Sequence, residues 1–165
     1  MPSNVQQIDL DALDFALLSH LQEDASESNQ ALAKRVHISA PTCLRRVKRL
    51  KEAGLIERQI AVLDPDRVAA HIGHGLTAIV EITLDRQDRE ALEAFEQRVA
   101  PDAVVQQCYR VSPGPDFILV VHAADMPAYL ALAQRLFTSD ANVRNVKAFF
   151  SLKRAKFEPK VPLAP

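Results

Sequence analysis

The chain has 165 residues, of which 48% are hydrophobic and 25% are charged, so it is long enough for one ordinary domain or two small ones. This composition is typical of a folded globular protein and excludes a disordered one. No apolar run approaches the roughly 20 residues of a membrane span, and no secretory signal is visible, so we expect a cytoplasmic protein. Two cysteines, Cys43 and Cys108, are too few for a disulfide framework. The sequence predicts no metal site and no cofactor.

The charged residues are distributed unevenly, although the net charge is only −1. Residues 1–33 carry six acidic residues and no lysine or arginine, whereas residues 34–58 carry eight basic residues and two acidic ones. Residues 59–165 are nearly balanced, with 12 basic and 13 acidic residues. A concentrated basic segment in a balanced chain is typical of an element that binds a polyanion, because a merely solvated helix face would interleave the two signs.

Three short helices are predicted before residue 54. The first is indicated by five leucines at helical spacing between residues 10 and 21. Ser28 and Ser39 are suited to cap the second and third helices, and Gly54 stands where a left-handed residue ends a helix. The residues predicted to face inward from the third helix are Leu44, Val47 and Leu50.

Two short helices joined by a tight turn form a helix-turn-helix, and most of the basic segment lies on its second helix. The outward face of that helix is able to enter a DNA major groove. The residues predicted to contact DNA are Ser39, Thr42, Arg45, Arg46 and Arg49. Replacing Arg46 and Arg49 by alanine is expected to abolish specific DNA binding without unfolding the protein. The alternative is an ordinary helical bundle with a basic, solvated face.

The chain is predicted to divide into two domains and to have an α+β fold. An N-terminal winged-type helix-turn-helix domain ends in a connecting strand over residues 55–63. After a hinge, strands and helices are predicted in the order β-α-β-β-α-β, which is typical of a ferredoxin-like domain. The predicted boundaries are residues 1–63, the hinge 64–74, residues 75–156 and an irregular tail, 157–165.

Two helices cover only one face of the predicted sheet. We expect the other face to expose apolar residues, among them Ile79, Val105 and Phe149. An exposed apolar face of this size favours burial against a second subunit.

These features together resemble the Lrp/AsnC (leucine-responsive, feast–famine) family of transcription regulators, over nearly the whole chain from Ile8 to Lys156. The likeness is carried by LDALDFALL at 10–18, by SAPTCLRRVKRL at 39–50 with Gly54-Leu55-Ile56, and by Asp64-Pro65. The resemblance implies a DNA-binding domain hinged to an amino-acid-binding domain. It also implies a homodimer, or an octamer, on a palindromic operator in double-stranded DNA. His37 stands where the family often has glycine, in a left-handed conformation that histidine is able to adopt.

The resemblance also implies an effector site near the cleft between the domains. Asp116, Met126 and Phe149 match family positions, and Gly114 replaces an acidic residue of the family. The prolines on either side of Gly114 lack the backbone N–H groups suited to holding a carboxylate. Arg110 replaces an apolar residue and is able to hold a carboxylate by a bidentate contact instead. These five residues are the predicted effector site.

The sequence therefore predicts a DNA-binding transcription regulator that responds to a small effector, an amino acid or a related carboxylate. Two alternatives remain open. Because of the altered loop, one alternative is an effector-independent, architectural DNA-binding protein of the same fold. An enzyme on the second domain would use His74, Asp116 or Cys108, but no nucleophile–base motif, phosphate-binding glycine loop or metal cluster supports it, and we expect no enzymatic activity and no membrane partner.

Overall fold

The computed structural model describes residues 8–73 and 75–163. The chain divides into an N-terminal unit, which runs to residue 62 and includes the tail from residue 157, and a C-terminal unit of residues 63–156. Among the described residues, no helix combines the length and apolar character that crossing a membrane requires. The N-terminal unit contains α1 (Ala12–Glu23), α2 (Asn29–Arg35) and α3 (Ala40–Glu52). The C-terminal unit contains α4 (Pro65–Ile72), β1 (Leu76–Leu84), α5 (Arg89–Val99), β2 (Val105–Arg110), β3 (Phe117–Ala123), α6 (Met126–Ala133), a π-helical extension (Gln134–Thr138) and β4 (Val143–Phe150).

Serine caps fix where α2 and α3 begin, as the sequence predicts. The Ser28 hydroxyl accepts a hydrogen bond from the Ala31 amide at 3.2 Å, and the Ser39 hydroxyl accepts one from the Thr42 amide at 3.4 Å. Each cap satisfies a backbone donor that has no partner inside the helix. The two predicted helix starts are therefore confirmed.

The end of α3 is also the predicted one. Gly54 has φ +74, in the left-handed region. The Leu55 amide donates to the Leu50 carbonyl and the Gly54 amide to the Lys51 carbonyl, both at 3.0 Å, which is the Schellman pattern of hydrogen bonds. The helix therefore stops where glycine tolerates the turn.

The inward face of α3 differs from the predicted one. Cys43 and Leu50 are fully buried, whereas Leu44 is 60% exposed, so the prediction that Leu44 faces inward is wrong. Cys43, Val47 and Leu50 pack with the core of the unit. Positions 43, 47 and 50 follow a helical spacing as good as 44, 47 and 50, and packing against the other helices decides between them. The exposed face of α3 is therefore rotated toward Leu44.

The turn between α2 and α3 places His37 at φ +55, the one positive φ of a non-glycine residue among the described residues. In this region the Cβ atom of an ordinary residue crowds the following carbonyl, at a cost of roughly 1–2 kcal/mol. The left-handed conformation considered for this residue is therefore adopted.

Replacing His37 by glycine is expected to raise the free energy of unfolding of the N-terminal unit by about 0.5–1 kcal/mol. The relief of strain exceeds the extra entropy that glycine gives to the unfolded chain. Thermal unfolding followed by far-UV circular dichroism measures the change. His71→Gly is the control, because His71 lies in α4 and glycine destabilises a helix by up to about 1 kcal/mol. A loss of stability in His37→Gly would show that the imidazole stabilises the turn.

The C-terminal unit has the predicted ferredoxin-like topology. Its four strands form an antiparallel sheet in the order β2-β3-β1-β4. Alternate residues of β1 and β3 are fully buried on the face that also buries residues of α5 and α6. Phe95 of α5 stacks on Phe117 of β3, with ring centroids 4.6 Å apart. The core of this unit therefore lies between the sheet and its helices.

The other face of the sheet carries exposed apolar residues. Ile79 and Phe149, which pair across β1 and β4, are 43% and 45% exposed, as predicted. The prediction for Val105 is wrong, because Val105 packs against the core beside Val121. The register between β2 and β3 shifts after Val105, and a bulge of this kind reverses the side that a residue faces.

Two predictions for the segment between the domains are corrected. The connecting strand predicted over residues 55–63 is not formed, and Ile60 and Val62 in it are exposed. A strand requires a neighbour with which to exchange hydrogen bonds, and the described chain offers none there. The predicted hinge, in turn, contains the helix α4, which was not predicted from the sequence.

The described part of the tail has no regular secondary structure, as expected. It is nevertheless tied to α1, because the side-chain amide of Gln22 donates to the Val161 carbonyl at 3.2 Å and accepts from the Val161 amide at 2.7 Å. The tail therefore belongs to the N-terminal unit.

Candidate DNA interface and effector region

The exposed face of α3 is basic and carries one arginine without a partner. Arg45 is exposed and makes no hydrogen bond or ion pair with any residue that the structure describes. Lys48 lies one helical turn after Leu44. Among the described residues it forms only a surface ion pair, with Glu52 at 3.6 Å. Neither Leu44 nor Lys48 was predicted to contact DNA, because Leu44 was expected to face inward and Lys48 was counted only within the basic segment.

Ser39 and Thr42 lie at the first turn of α3. Their hydroxyl oxygens are 2.8 Å apart and share a hydrogen bond. Each hydroxyl keeps further hydrogen-bonding capacity, so the start of the helix presents polar groups next to the basic face.

Arg46 and Arg49 are held by two aspartates at the start of α1. Arg46 Nη1 lies 2.9 Å from Asp14 Oδ1 and 2.8 Å from Asp11 Oδ2, and Arg49 Nη2 lies 2.5 Å from Asp14 Oδ2. Asp14 is fully buried, the only charged residue in that state among those described. We call these four residues the aspartate–arginine cluster.

The same aspartates form the capping box of α1. The Asp11 carboxylate accepts a hydrogen bond from the Asp14 amide at 3.0 Å, and Asp14 accepts one from the Asp11 amide at 3.2 Å. The reciprocal pair satisfies two backbone donors at the helix start. The start of α1 and the two arginines of α3 are therefore one connected network, which no local sequence pattern predicts.

Contacts within the cluster favour the charged forms of Arg46 and Asp11. Hydrogen bonds to Asp14 and then to Asp11 raise the pKa of Arg46. The hydrogen bond from the Asp14 amide, assisted by Arg46, lowers the pKa of the Asp11 carboxyl. The cluster has two positive and two negative charges, so it adds little to the positive potential of α3. An open groove of about 490 Å³ lies beside it, lined by Asp9, Leu10, Asp11, Asp14, Arg45, Arg46 and Arg49.

Two of the predicted effector residues are bound within the chain. Two N–H groups of Arg110 donate to Glu96 Oε1, at 2.8 and 2.9 Å. Asp116 Oδ2 accepts from the Leu84 amide at 2.7 Å and from Gln87 at 3.3 Å. The carboxylate of Asp116 therefore closes the loop onto β1, in the way a turn aspartate does.

The five predicted effector residues do not form one pocket in a single chain. Arg110, Gly114 and Asp116 lie where β2 ends and β3 begins, whereas Met126 follows the opposite end of β3. Those ends are roughly 20 Å apart at about 3.3 Å per residue. Phe149 lies on the exposed face of the sheet, with the Lys147 ammonium 4.8 Å from its ring centroid.

Reactive side chains are not concentrated anywhere in the described residues. His74, named as a reactive group for the enzyme alternative, lies outside the described residues. Within residues 8–73 and 75–163, no three His, Cys, Asp or Glu side chains are grouped so as to hold a metal ion. Burial raises the pKa of both the Cys43 and the Cys108 thiols, which makes them poor nucleophiles.

Both units match known protein families. Residues 10–57 match the winged helix-turn-helix DNA-binding family, and residues 77–161 match the Lrp/AsnC ligand-binding domain. The chain is 35% identical over 152 residues to the leucine-responsive regulatory protein of Rhizobium meliloti, which covers 92% of this chain and 95% of that protein.

Solved structures show the same similarity over both units. A crystal structure of an AsnC-family transcriptional regulator from Agrobacterium tumefaciens has a TM-score of 0.80 and 32% identity, covering 93% of this chain and 97% of that one. A transcriptional regulator from Neisseria meningitidis, in complex with L-Met, has a TM-score of 0.80 and 30% identity with the same coverage of both chains.

A helix-turn-helix unit joined to a ligand-binding α+β unit defines a transcription regulator that binds DNA and a small ligand through separate domains. The chain belongs to the Lrp/AsnC family of transcriptional regulators. The resemblance found in its sequence is therefore confirmed, together with the fold class.

Proposed function

We propose that this regulator is a cytoplasmic homodimer, or a larger homo-oligomer such as an octamer, that binds palindromic operators through the exposed face of α3. An amino acid or a related carboxylate changes its affinity for DNA, and the chain performs no catalysis. The observation that carries the proposal is the unpaired, exposed Arg45 on the second helix of a helix-turn-helix. In such a helix, arginine is able to reach a guanine edge or a phosphate.

The residues proposed to bind DNA are Ser39, Thr42, Arg45, Arg46 and Arg49. Arg45 acts as a free cation, while Arg46 and Arg49 act from within the aspartate–arginine cluster. Leu44 and Lys48 join them, because an exposed apolar side chain beside two cations suits a thymine methyl group between phosphates.

The effector proposal rests on the ligand-binding domain and on the relative in complex with L-Met. We assign Arg110, Gly114, Asp116, Met126 and Phe149 to the effector site, with residues of another subunit completing it. Their separation at opposite ends of β3 supports a site of that kind, and the exposed apolar face around Ile79 supports the association of subunits.

A selection experiment tests the function. The purified protein selects duplexes from a randomised library of about 30 base pairs, long enough for two half-sites one or two helical turns apart, at roughly 150 mM salt. We expect a two-fold symmetric motif whose recovery changes when a pool of amino acids is added. A motif unaffected by the pool, with no heat in calorimetry, would indicate the architectural alternative. Recovery without any motif would contradict sequence-specific binding.

Replacing Arg45 by alanine is expected to lower the affinity for the selected duplex by about 10- to 100-fold, with no change in thermal stability. The side chain has no partner to leave unpaired, and an arginine contact to a base is worth roughly 1–3 kcal/mol. Fluorescence anisotropy with labelled duplex measures the affinity. Arg144→Ala, the same change at an exposed arginine of β4, is the control. Equal affinities of Arg45→Ala and wild type would exclude Arg45 from the interface.

A further inference from the structure

The two arginines of the aspartate–arginine cluster differ in exposure and in hydrogen bonding. The Arg46 side chain is only 23% exposed, and its Nη1 group is shared between both aspartates. Its Nε atom is buried without a hydrogen-bond partner. Arg46 is therefore held in one orientation and presents less of its side chain to DNA than Arg49 does.

Arg49 keeps part of its guanidinium free. Its side chain is 43% exposed, and only Nη2 is bonded, to Asp14 Oδ2. Nε and Nη1 have no partner among the described residues. Arg49 also lies one helical turn after Arg45, on the same ridge of α3, so its free N–H groups lie next to the unpaired cation of the proposed interface.

We propose that Asp14 is a positioning residue for DNA recognition: it holds the Arg49 guanidinium in one orientation and so makes this arginine a reader of base edges. The inference rests on the proposed DNA-binding function of α3.

The physical reason is the cost of ordering an arginine. A free arginine loses rotamer freedom when it binds, and it binds any phosphate within reach. An arginine with one nitrogen fixed by a buried carboxylate has already lost that freedom. Its charge is also neutralised, so it gains less from a phosphate and relatively more from the directed hydrogen bonds of a guanine edge.

The test compares specific with non-specific binding. Wild type and Asp14→Asn are titrated with the selected duplex and with a scrambled duplex of the same composition, at several salt concentrations. We expect Asp14→Asn to bind the selected duplex at least 10-fold more weakly. The scrambled duplex should be bound two- to five-fold more tightly, with a salt dependence steeper by about 0.9, the slope for one additional phosphate contact.

The expected changes in affinity have opposite signs for the two duplexes. This distinguishes a positioning role from a structural one, because partial unfolding would weaken the binding of both duplexes. Asp9→Asn is the matched control: Asp9 lines the same groove and has no ion pair or hydrogen bond among the described residues. It should change the binding of both duplexes by the same small factor. An unchanged ratio of specific to non-specific affinity in Asp14→Asn would overturn the proposal.

A second variant serves if Asp14→Asn fails to fold. Arg49→Lys keeps a cation beside Asp14 but replaces the planar, forked guanidinium by a point charge. We expect it to lose at least 10-fold in affinity for the selected duplex while remaining as thermostable as wild type. Full affinity in Arg49→Lys would overturn the proposal. Failure of wild type to select any motif would instead count against the proposed function itself.

Discussion

Replacing both Arg46 and Arg49 by alanine is expected to lower the free energy of unfolding of the N-terminal unit by about 3–5 kcal/mol. The double change leaves the fully buried Asp14 carboxylate without a cation, and an uncompensated buried charge costs this much. The sequence alone predicts that this variant loses DNA binding and stays folded. The contacts of the aspartate–arginine cluster change that expectation, because they predict a less stable variant. Unfolding of the N-terminal unit would by itself abolish DNA binding.

The two units can be observed separately. The chain has no tryptophan and two tyrosines, and both Tyr109 and Tyr129 lie in the C-terminal unit. We expect the double variant to lose helical circular dichroism at a lower temperature while the tyrosine fluorescence transition stays unchanged.

Two further variants complete this experiment. Arg45→Ala combined with Lys48→Ala removes the same charge from exposed positions, and should change stability by less than about 1 kcal/mol. Adding Asp14→Leu to the double arginine variant removes the unpaired carboxylate and should restore most of the stability. A double arginine variant as stable as wild type would contradict this account of the cluster.

Replacing Phe117 by alanine is expected to lower the free energy of unfolding of the C-terminal unit by about 3–5 kcal/mol. The ring is fully buried, stacks on Phe95 at 4.6 Å and lies under Arg110, whose guanidinium is 5.9 Å from its centroid. Removing it deletes the apolar contacts and leaves a cavity that the sheet cannot close.

Urea unfolding followed by tyrosine fluorescence measures the loss in Phe117→Ala. Leu152→Ala is the control, because Leu152 lies in the same unit and is fully exposed. The control should change stability by less than about 0.5 kcal/mol. A loss below about 1 kcal/mol in Phe117→Ala would show that the core repacks around the missing ring.

Part of the candidate DNA interface could be predicted from the sequence. The basic segment, the serine caps and Gly54 placed α3 correctly, because each depends on residues a few positions apart. The direction of its side chains was predicted only in part. Leu44 and Cys43 differ by one position, and both are compatible with a helical spacing, so the packing against α1 and α2 had to decide.

The effector region was harder to predict for a related reason. The motif positions around Asp116 could be matched by sequence, but their hydrogen bonds join β3 to the end of β1, 32 residues away. No short-range pattern shows that this carboxylate already has a partner in the chain, or that Arg110 is bound by Glu96 of α5.

The sequence by itself determined the helix-turn-helix, the order of strands and helices in the second domain, and the family. The first two follow from hydrophobic period, helix caps and turn residues, which depend only on residues a few positions apart. The family follows from the resemblance of the motifs at 10–18 and 39–50. The tertiary structure alone decided that Val105 faces the core, that residues 55–63 form no strand, and that Asp14 holds Arg46 and Arg49. Each of these depends on contacts between residues that are far apart in the sequence. Burial then determines the free-energy cost of an unpaired strand or an unpaired charge.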